Sequence, residues 1–133
     1  MKILIVEDEF VSRHVLQELL HPFGECSMAV NGKEAVEAFN LALSEKKPYN
    51  LICLDIMLPE MDGQEVLKTI REIERENKIG GLDGVKIIMT TALEDFDNIK
   101  RAFIEQCEGY LVKPITREKI ITQMKELGLI KES

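Results

Sequence analysis

Long apolar runs are missing from this sequence of 133 residues. A transmembrane helix needs about 18 or more consecutive apolar residues, and no segment of the sequence has them. The apolar run near the N-terminus, KILIV at 2–6, is too short for the apolar region of a secretory signal peptide. We therefore expect a protein that neither spans a membrane nor carries an export signal.

Cysteines and basic residues are also scarce. The three cysteines, Cys26, Cys53 and Cys107, are odd in number and far apart, so they indicate neither a disulfide framework nor a CxxC metal site. A reducing cytoplasm fits this pattern best. Lysine and arginine number 17 against 24 aspartates and glutamates, for a net charge of −7. Binding to a nucleic-acid backbone relies on clustered Lys and Arg, so this balance argues against a nucleic-acid partner.

Short apolar runs alternate with amphipathic segments along the chain, which is typical of one globular domain of this length. The predicted strands are 2–6, 26–30, 51–55, 85–90 and 109–113. Helices are expected after each strand, the last three at about 64–76, 95–106 and 116–127. In the first predicted helix, one face carries Val11, Val15, Leu16, Leu19 and Leu20. Five such β/α units predict a parallel sheet with helices on both of its faces.

Acidic side chains follow two of the predicted strands. Glu7, Asp8 and Glu9 follow the first strand, and Asp55 ends the third. Open α/β sheets bind ligands beyond the carboxyl ends of their strands. If the first and third strands are neighbours, Glu7, Asp8 and Asp55 crowd together, and crowded carboxylates are costly unless a cation compensates them. A set of oxygen ligands suits a hard divalent ion such as Mg²⁺.

A lysine and two threonines follow the last two predicted strands. Thr90 and Thr91 end the fourth strand, and Lys113, which precedes Pro114, would supply a cation near the acids. A metal, a lysine and a hydroxyl around one carboxylate are the parts of a phosphoryl-transfer site. Asp55 would then be the nucleophile, and an acyl phosphate would be the product.

This set of residues resembles the receiver domain of two-component response regulators, especially stand-alone receivers of the chemotaxis (CheY-like) type. The resemblance extends over about residues 2–127. It implies a single receiver domain over 1–133 with no output domain. It also implies a doubly wound, flavodoxin-like fold with the strand order 2-1-3-4-5. The matching residues are Glu7-Asp8, Asp55, Pro59, Met61-Asp62-Gly63, Thr91-Ala92, Tyr110 and Lys113-Pro114.

The resemblance implies a role for each residue around the acids. Asp55 would be the phosphoacceptor, and Lys113 would hold a phosphoryl oxygen. Asp8 and Asp55 would ligate Mg²⁺ through their side chains, and Met57 through its backbone carbonyl. Glu7 would contact the ion through a water molecule. Mn²⁺ would be a substitute for Mg²⁺.

The resemblance also implies a switch. Thr91 would bind the phosphoryl group and move toward it, and Tyr110 would turn inward as Thr91 moves. This would reshape the surface of the fourth helix, fifth strand and fifth helix. Thr90 competes for the same role, but Thr91 is favoured because the small Ala92 follows it. The Lys113–Pro114 peptide bond is expected to be cis.

These roles describe a signalling switch rather than an enzyme. Its upstream partner would be a histidine kinase or a histidine phosphotransfer protein, and its output a contact with an unknown protein. We expect a monomer before phosphorylation, because residues 108–110 read Glu-Gly-Tyr where dimerising receivers tend to carry Asp-Asp-Tyr. His14 and His21 are expected at the surface of the first helix, without a phosphorelay role.

Two other functions compete with this interpretation. A Mg²⁺-dependent phosphatase of the haloacid type would need an acid two residues after its nucleophile, and Met57 stands there. A flavin or nucleotide carrier would need a Gly-rich or Ser/Thr-rich phosphate loop after the first strand. The residues at 7–10 are EDEF, whose acids would repel a phosphate. Both rivals are therefore disfavoured.

The lifetime of a phosphorylated state depends on access of water to the phosphorus. In receivers, the side chains two positions after the phosphoacceptor and two after the switch threonine flank the path of this water. Here they are Met57 and Leu93, which are apolar and cannot orient a water molecule. The resemblance therefore predicts slow self-dephosphorylation.

Overall fold

The computed structural model describes residues 1–80, 83–92, 96–104 and 106–131, in which five strands alternate with five α-helices. The strands are β1 (Lys2–Val6), β2 (Glu25–Ala29), β3 (Leu51–Asp55), β4 (Lys86–Thr91) and β5 (Gly109–Val112). The helices are α1 (Phe10–Leu20), α2 (Gly32–Ser44), α3 (Gly63–Glu76), α4 (Phe96–Ile104) and α5 (Arg117–Glu126). A 3-10 turn, His21–Phe23, follows α1. None of the described helices combines the length and the apolar character that crossing a membrane requires.

The strands form one parallel sheet in the order β2-β1-β3-β4-β5. This confirms the fold and the strand order that the resemblance implies. The order reverses between β1 and β3, which is where ligands bind in doubly wound sheets. Val6 of β1 pairs with Leu54 of β3. Glu7, which follows β1, and Asp55, which ends β3, therefore lie side by side at the carboxyl edge of the sheet.

The core has two layers, one on each face of the sheet, which explains why the strands are continuous apolar runs rather than alternating ones. One layer packs the sheet against α2, α3 and α4, and the other packs it against α1 and α5. Fully buried members of the first layer include Leu4, Ile52, Leu54, Ile87 and Leu67. Fully buried members of the second include Ile3, Ile5, Leu51, Ile88, Leu20 and Ile120.

Only part of the apolar face of the first helix is buried. Leu16 and Leu20 are buried, but Val11 is 62% and Val15 43% exposed. Val15 precedes Leu16 by one position, which is about 100° around a helix. The sheet contacts the leucine side of α1 and leaves the valine side uncovered.

Three strands, β2, β4 and β5, and three helices, α3, α4 and α5, have ends that differ from the predicted ones by one or two residues. β2 begins at Glu25 rather than 26, because Glu25 pairs with Lys2. β4 runs on to Thr91 because Thr91 still pairs with Val112 of β5. Residue 116 is the cap of α5 rather than its first helical residue. At α4, positions 95 and 105 of the predicted range lie outside the described residues, and 106 lies in a turn.

Candidate functional site

Three carboxylates meet at the carboxyl edge of β1 and β3. Glu7, Asp8 and Asp55 each place one oxygen within 4.8 Å of the others. Glu7 is fully buried, Asp55 is only 3% exposed, and Asp8 is open to solvent. The structure therefore brings together the three acids that the sequence places at strand ends. Solvent reaches the cluster from the side of Asp8.

One ammonium group lies among these acids. The Nζ of Lys113 donates hydrogen bonds to Glu7 Oε2 at 2.8 Å and to Asp55 Oδ2 at 3.0 Å. Its backbone N–H donates to the carbonyl of Thr91 at 2.6 Å, which ties the end of β5 to the end of β4. The Lys113–Pro114 bond is cis, which confirms the prediction. A single ammonium cannot neutralise three carboxylates, so the cluster is short of positive charge.

The electrostatics of the cluster favour an added cation. Burial raises the pKa of Glu7 to about 7, with the neighbouring Asp55 adding to the effect and Lys113 opposing it. Burial lowers the pKa of Lys113, but its bonds to Glu7 and Asp55 outweigh this and raise the pKa overall. Within the described residues, Glu7 Oε1 is buried without a hydrogen-bond partner. An uncompensated buried oxygen in an all-oxygen set fits Mg²⁺, which binds one or two carboxylates and keeps several waters.

The loop after β3 holds the Asp55 carboxylate in place. The N–H of Met57 donates to Asp55 Oδ1 at 3.0 Å, and the N–H of Ile56 donates to the Thr90 carbonyl at 3.0 Å. The N–H of Gly63 donates back to the Ile56 carbonyl at 2.9 Å. A Cβ at Gly63 would lie 2.2 Å from the Asp55 carbonyl oxygen, so only glycine allows this close return. The motif therefore requires glycine at position 63 for a steric reason.

The proposed switch residues lie in the last two strands of the sheet, Thr91 in β4 and Tyr110 in β5. Thr91 is buried at the end of β4, and the half-buried Tyr110 ring meets Phe103 of α4 edge-on, with centroids 5.8 Å apart. Thr90 pairs with Asp55 across the sheet, and its buried hydroxyl has no partner in the described part of the chain. The choice of Thr91 over Thr90 stays a prediction. Leu93 lies outside the described residues.

Sequence reasoning missed a basic residue next to the acids. Arg13, near the start of α1, donates from Nη1 to the carbonyl of Glu7 at 3.0 Å and to that of Asp8 at 3.2 Å. A basic residue in the first turns of a helix that follows an acidic loop was the signal available in the sequence. It was overlooked because such a residue is usually solvated.

Comparison with known proteins points to one family. Residues 3–125 match the family model described as response regulator receiver domain. The chain is 36% identical over 129 residues to hybrid signal transduction histidine kinase B of Dictyostelium discoideum, covering 92% of the chain and 6% of that protein. It is 35% identical over 127 residues to the transcriptional regulatory protein SrrA of Staphylococcus aureus, covering 95% of the chain and 47% of that protein. The chain thus spans from a small fraction to about half of the length of these relatives.

Solved structures agree with this match. The CheX–CheY–BeF3–Mg complex of Borrelia burgdorferi contains a chain with a TM-score of 0.82 and 25% identity, covering 98% of this chain and 90% of that one. The co-crystal structure of the Saccharomyces cerevisiae phosphotransfer protein Ypd1 with the receiver domain of Ssk1 gives a TM-score of 0.81 and 28% identity. It covers 97% of this chain and 89% of that one. The first complex was solved with Mg²⁺, the ion that the acidic cluster fits.

Proposed function

This chain belongs to the response regulator receiver domain family, and we propose that Asp55 is the residue on which it accepts a phosphoryl group. A receiver domain is the signalling switch of a two-component or phosphorelay system, not a catalyst with a substrate of its own. One observation carries the assignment of Asp55. It is a buried carboxylate with its two oxygens already held by an ammonium and an N–H group, at the edge where Asp8 and Glu7 converge.

The residues around Asp55 would have separate roles in the phosphoryl transfer. The side chains of Asp8 and Asp55 and the carbonyl of Met57 would hold Mg²⁺ or Mn²⁺, with Glu7 contacting it through water. The ion would neutralise negative charge on the phosphoryl oxygens. An oxygen of Asp55 forms a bond to phosphorus while the bond from phosphorus to the donor histidine nitrogen breaks, and the imidazole leaves with the electron pair. Lys113 would then exchange its bond to Asp55 for one to a phosphoryl oxygen.

The new charge would act on the end of β4. Phosphorylation adds about 1.5 to 2 negative charges and three acceptor oxygens. The Thr91 hydroxyl would donate to one of these oxygens and move toward it. Tyr110, now packed edge-on against Phe103, would turn into the space that Thr91 leaves. The surface of α4, β5 and α5 is therefore the proposed output surface.

The donor would be a histidine kinase or a histidine phosphotransfer protein, as the Ypd1 complex with a related receiver suggests. The surface beside the acids favours a protein donor, because α1 exposes Phe10, Val11 and Val15. A groove of about 390 Å³ lies between this helix and the segment Lys113–Ile115. A protein that covers these apolar side chains would bring its histidine over Asp55.

Three further properties are proposed for the chain. It acts as a single receiver domain over 1–133, and it is monomeric before phosphorylation. It works in the cytoplasm, which its three free cysteines support. Neither a membrane nor a nucleic acid is a proposed partner, and the downstream protein target is unknown.

Incubation with a small acyl-phosphate donor and Mg²⁺ tests the function. A switch gains one phosphoryl group per chain, which intact-mass spectra would show, and holds it after the donor is removed. Continuous phosphate release without a modified protein would indicate a phosphatase instead. Absence of any mass gain, with the protein folded, would contradict the proposed function.

A further inference from the structure

Arg13 contacts every carbonyl of the turn between β1 and α1. This turn consists of Glu7, Asp8 and Glu9. The Nη1 atom of Arg13 donates to the carbonyl of Glu7 at 3.0 Å and to that of Asp8 at 3.2 Å. The backbone N–H of Arg13 donates to the carbonyl of Glu9 at 3.0 Å. The bond to Glu9 is the first backbone bond of α1, so the guanidinium itself accounts for the bonds to the two peptide oxygens on either side of Asp8.

Arg13 is itself held in position. Its guanidinium lies over the ring of Phe10, 5.7 Å from the ring centroid, in the geometry of a cation–π contact. The side chain is half-buried rather than free in solvent. Hydrogen bonds from a charged donor are stronger than those between neutral groups. The guanidinium can therefore hold the backbone of the turn in one conformation through these hydrogen bonds.

We propose that Arg13 is a positioning residue for the divalent-ion site. Its bonds set the peptide planes on either side of Asp8, and these planes decide whether the Glu7 and Asp8 carboxylates face Asp55. It contacts neither the ion nor the phosphoryl group and acts through the backbone. This inference rests on the proposed function, because it needs a metal site at the acidic cluster.

The sign of the effect distinguishes positioning from charge. Arg13 is positive, so removing it reduces the repulsion felt by an incoming cation and by charge alone would strengthen Mg²⁺ binding. Loss of a residue that orients the ligands has the opposite effect. Partners that orient metal ligands typically contribute about 10- to 100-fold in metal affinity. Weaker binding in an uncharged variant therefore indicates positioning.

Calorimetric titration of the whole chain with MgCl₂ tests the inference. Arg13→Met keeps the apolar stem but removes the charge and the donors, and we expect about 10-fold weaker Mg²⁺ binding than in the wild type. Arg13→Lys keeps one donor group on a shorter side chain, and its Mg²⁺ affinity should lie between those of the wild type and Arg13→Met. Arg75→Met is the matched control, because Arg75 is exposed near the end of α3. Its affinity should equal that of the wild type.

The possible outcomes separate this inference from the proposed function. Wild-type affinity or tighter binding in Arg13→Met would overturn the role of Arg13 while leaving the metal site intact. A wild-type protein that binds no Mg²⁺ would overturn the metal site, and the inference with it. Circular dichroism checks the fold of each variant. If Arg13→Met does not fold, Arg13→Lys decides: weaker binding than wild type supports positioning, and equal or tighter binding overturns it.

Discussion

The two edges of the sheet both bury charged side chains, but they balance the charge differently. At the carboxyl edge, Lys113 bonds Glu7 and Asp55, which cluster with Asp8, and one oxygen of Glu7 lacks a partner in the described part of the chain. At the amino edge, Arg71 of α3 contacts Glu74 at 2.6 Å and Glu108 at 2.7 Å. Each edge thus pairs one basic side chain with two buried or partly buried acids.

Backbone groups complete the amino edge. Arg71 also donates to the carbonyls of Val85 and Gln106, both at 2.9 Å. Glu74 accepts a bond from the N–H of Val85 at 2.8 Å, and Glu108 accepts one from the N–H of Ile87 at 2.6 Å. These bonds connect α3 with the starts of β4 and β5. Fully satisfied networks of this kind rigidify a fold.

The difference shows that burial of charge alone does not mark a functional site. At the amino edge, the buried charged groups of Arg71, Glu74 and Glu108 all have hydrogen-bond partners. No charge there requires a ligand. The carboxyl edge leaves an oxygen unsatisfied and a carboxylate, Asp8, open to solvent. Unsatisfied buried groups in a native structure call for an explanation, and a bound cation would supply one here. We therefore assign the function to the carboxyl edge and a structural role to the Arg71 cluster at the amino edge.

The largest expected effect is the loss of phosphoryl uptake in Asp55→Asn. The amide cannot act as the nucleophile, so intact-mass spectra after treatment with a small donor should show no gain. The fold should remain intact, because the change removes one of several mutually repelling carboxylates. Asp62→Asn is a suitable control, since Asp62 caps α3 by accepting from the Glu65 N–H and an asparagine can do the same. Normal uptake in Asp55→Asn would refute the assignment.

Arg71→Met should have the opposite profile, with lower stability and retained uptake. Removing one partner of a buried ion pair costs about 3–5 kcal/mol because the remaining charges lose their compensation. Urea denaturation would measure this change in the free energy of unfolding. Arg75→Met, at an exposed site, should change it by no more than about 0.5 kcal/mol. If folded Arg71→Met no longer accepts a phosphoryl group, the division between a structural and a functional edge is wrong.

Asp8→Ala should weaken the metal site without removing the phosphoacceptor. Asp8 is the exposed member of the three acids, so its loss removes a proposed ligand and leaves no buried charge uncompensated. We expect at least about 10-fold weaker Mg²⁺ binding by calorimetry, in line with the cost of disturbing a metal shell. Glu9→Ala, in the same turn but outside the acidic cluster, is the control. An unchanged Mg²⁺ affinity in Asp8→Ala would count against the pocket.

The smallest expected effect concerns the lifetime of the phosphorylated state. The Met57 side chain is 62% exposed and apolar, so it offers attacking water no hydrogen bond. Met57→Asn should speed the decay of the phosphoprotein by roughly 5-fold, which corresponds to about 1 kcal/mol in the barrier. Adding Leu93→Glu should speed it further, although Leu93 lies outside the described residues. Decay that is fast in the wild type, or unchanged in both variants, would disprove shielding by Met57.

The fold and the acidic cluster were predictable because both depend on short-range patterns. The apolar runs predict the strands, and the acids at their ends predict the cluster at the carboxyl edge of the sheet. The order of the motifs along the chain indicated the family. The strand boundaries differ slightly because pairing across the sheet, not local sequence, decides where β2 and β4 end. The sequence did not reveal which side of α1 is exposed, because Val11 and Val15 have the same spacing as the leucines that pack.

The structural cluster could not be predicted from the sequence. Arg71 lies in an amphipathic helix where an arginine usually points to solvent. Two of its partners, Gln106 and Glu108, are 35 and 37 residues away, and no local pattern links them to it. Arg13 was missed for a related reason, because its acceptors are backbone carbonyls, which a sequence motif does not display.

Mapping the phosphorylated residue with and without a metal chelator tests the central claim most directly. The protein is treated with a small acyl-phosphate donor, and the modified residue is identified by tandem mass spectrometry of its peptides. The account predicts a phosphoryl group on Asp55 alone, with uptake lost when the chelator removes Mg²⁺ and restored when the ion is added back. Modification at another residue, or uptake on Asp55 that the chelator leaves unchanged, would contradict it.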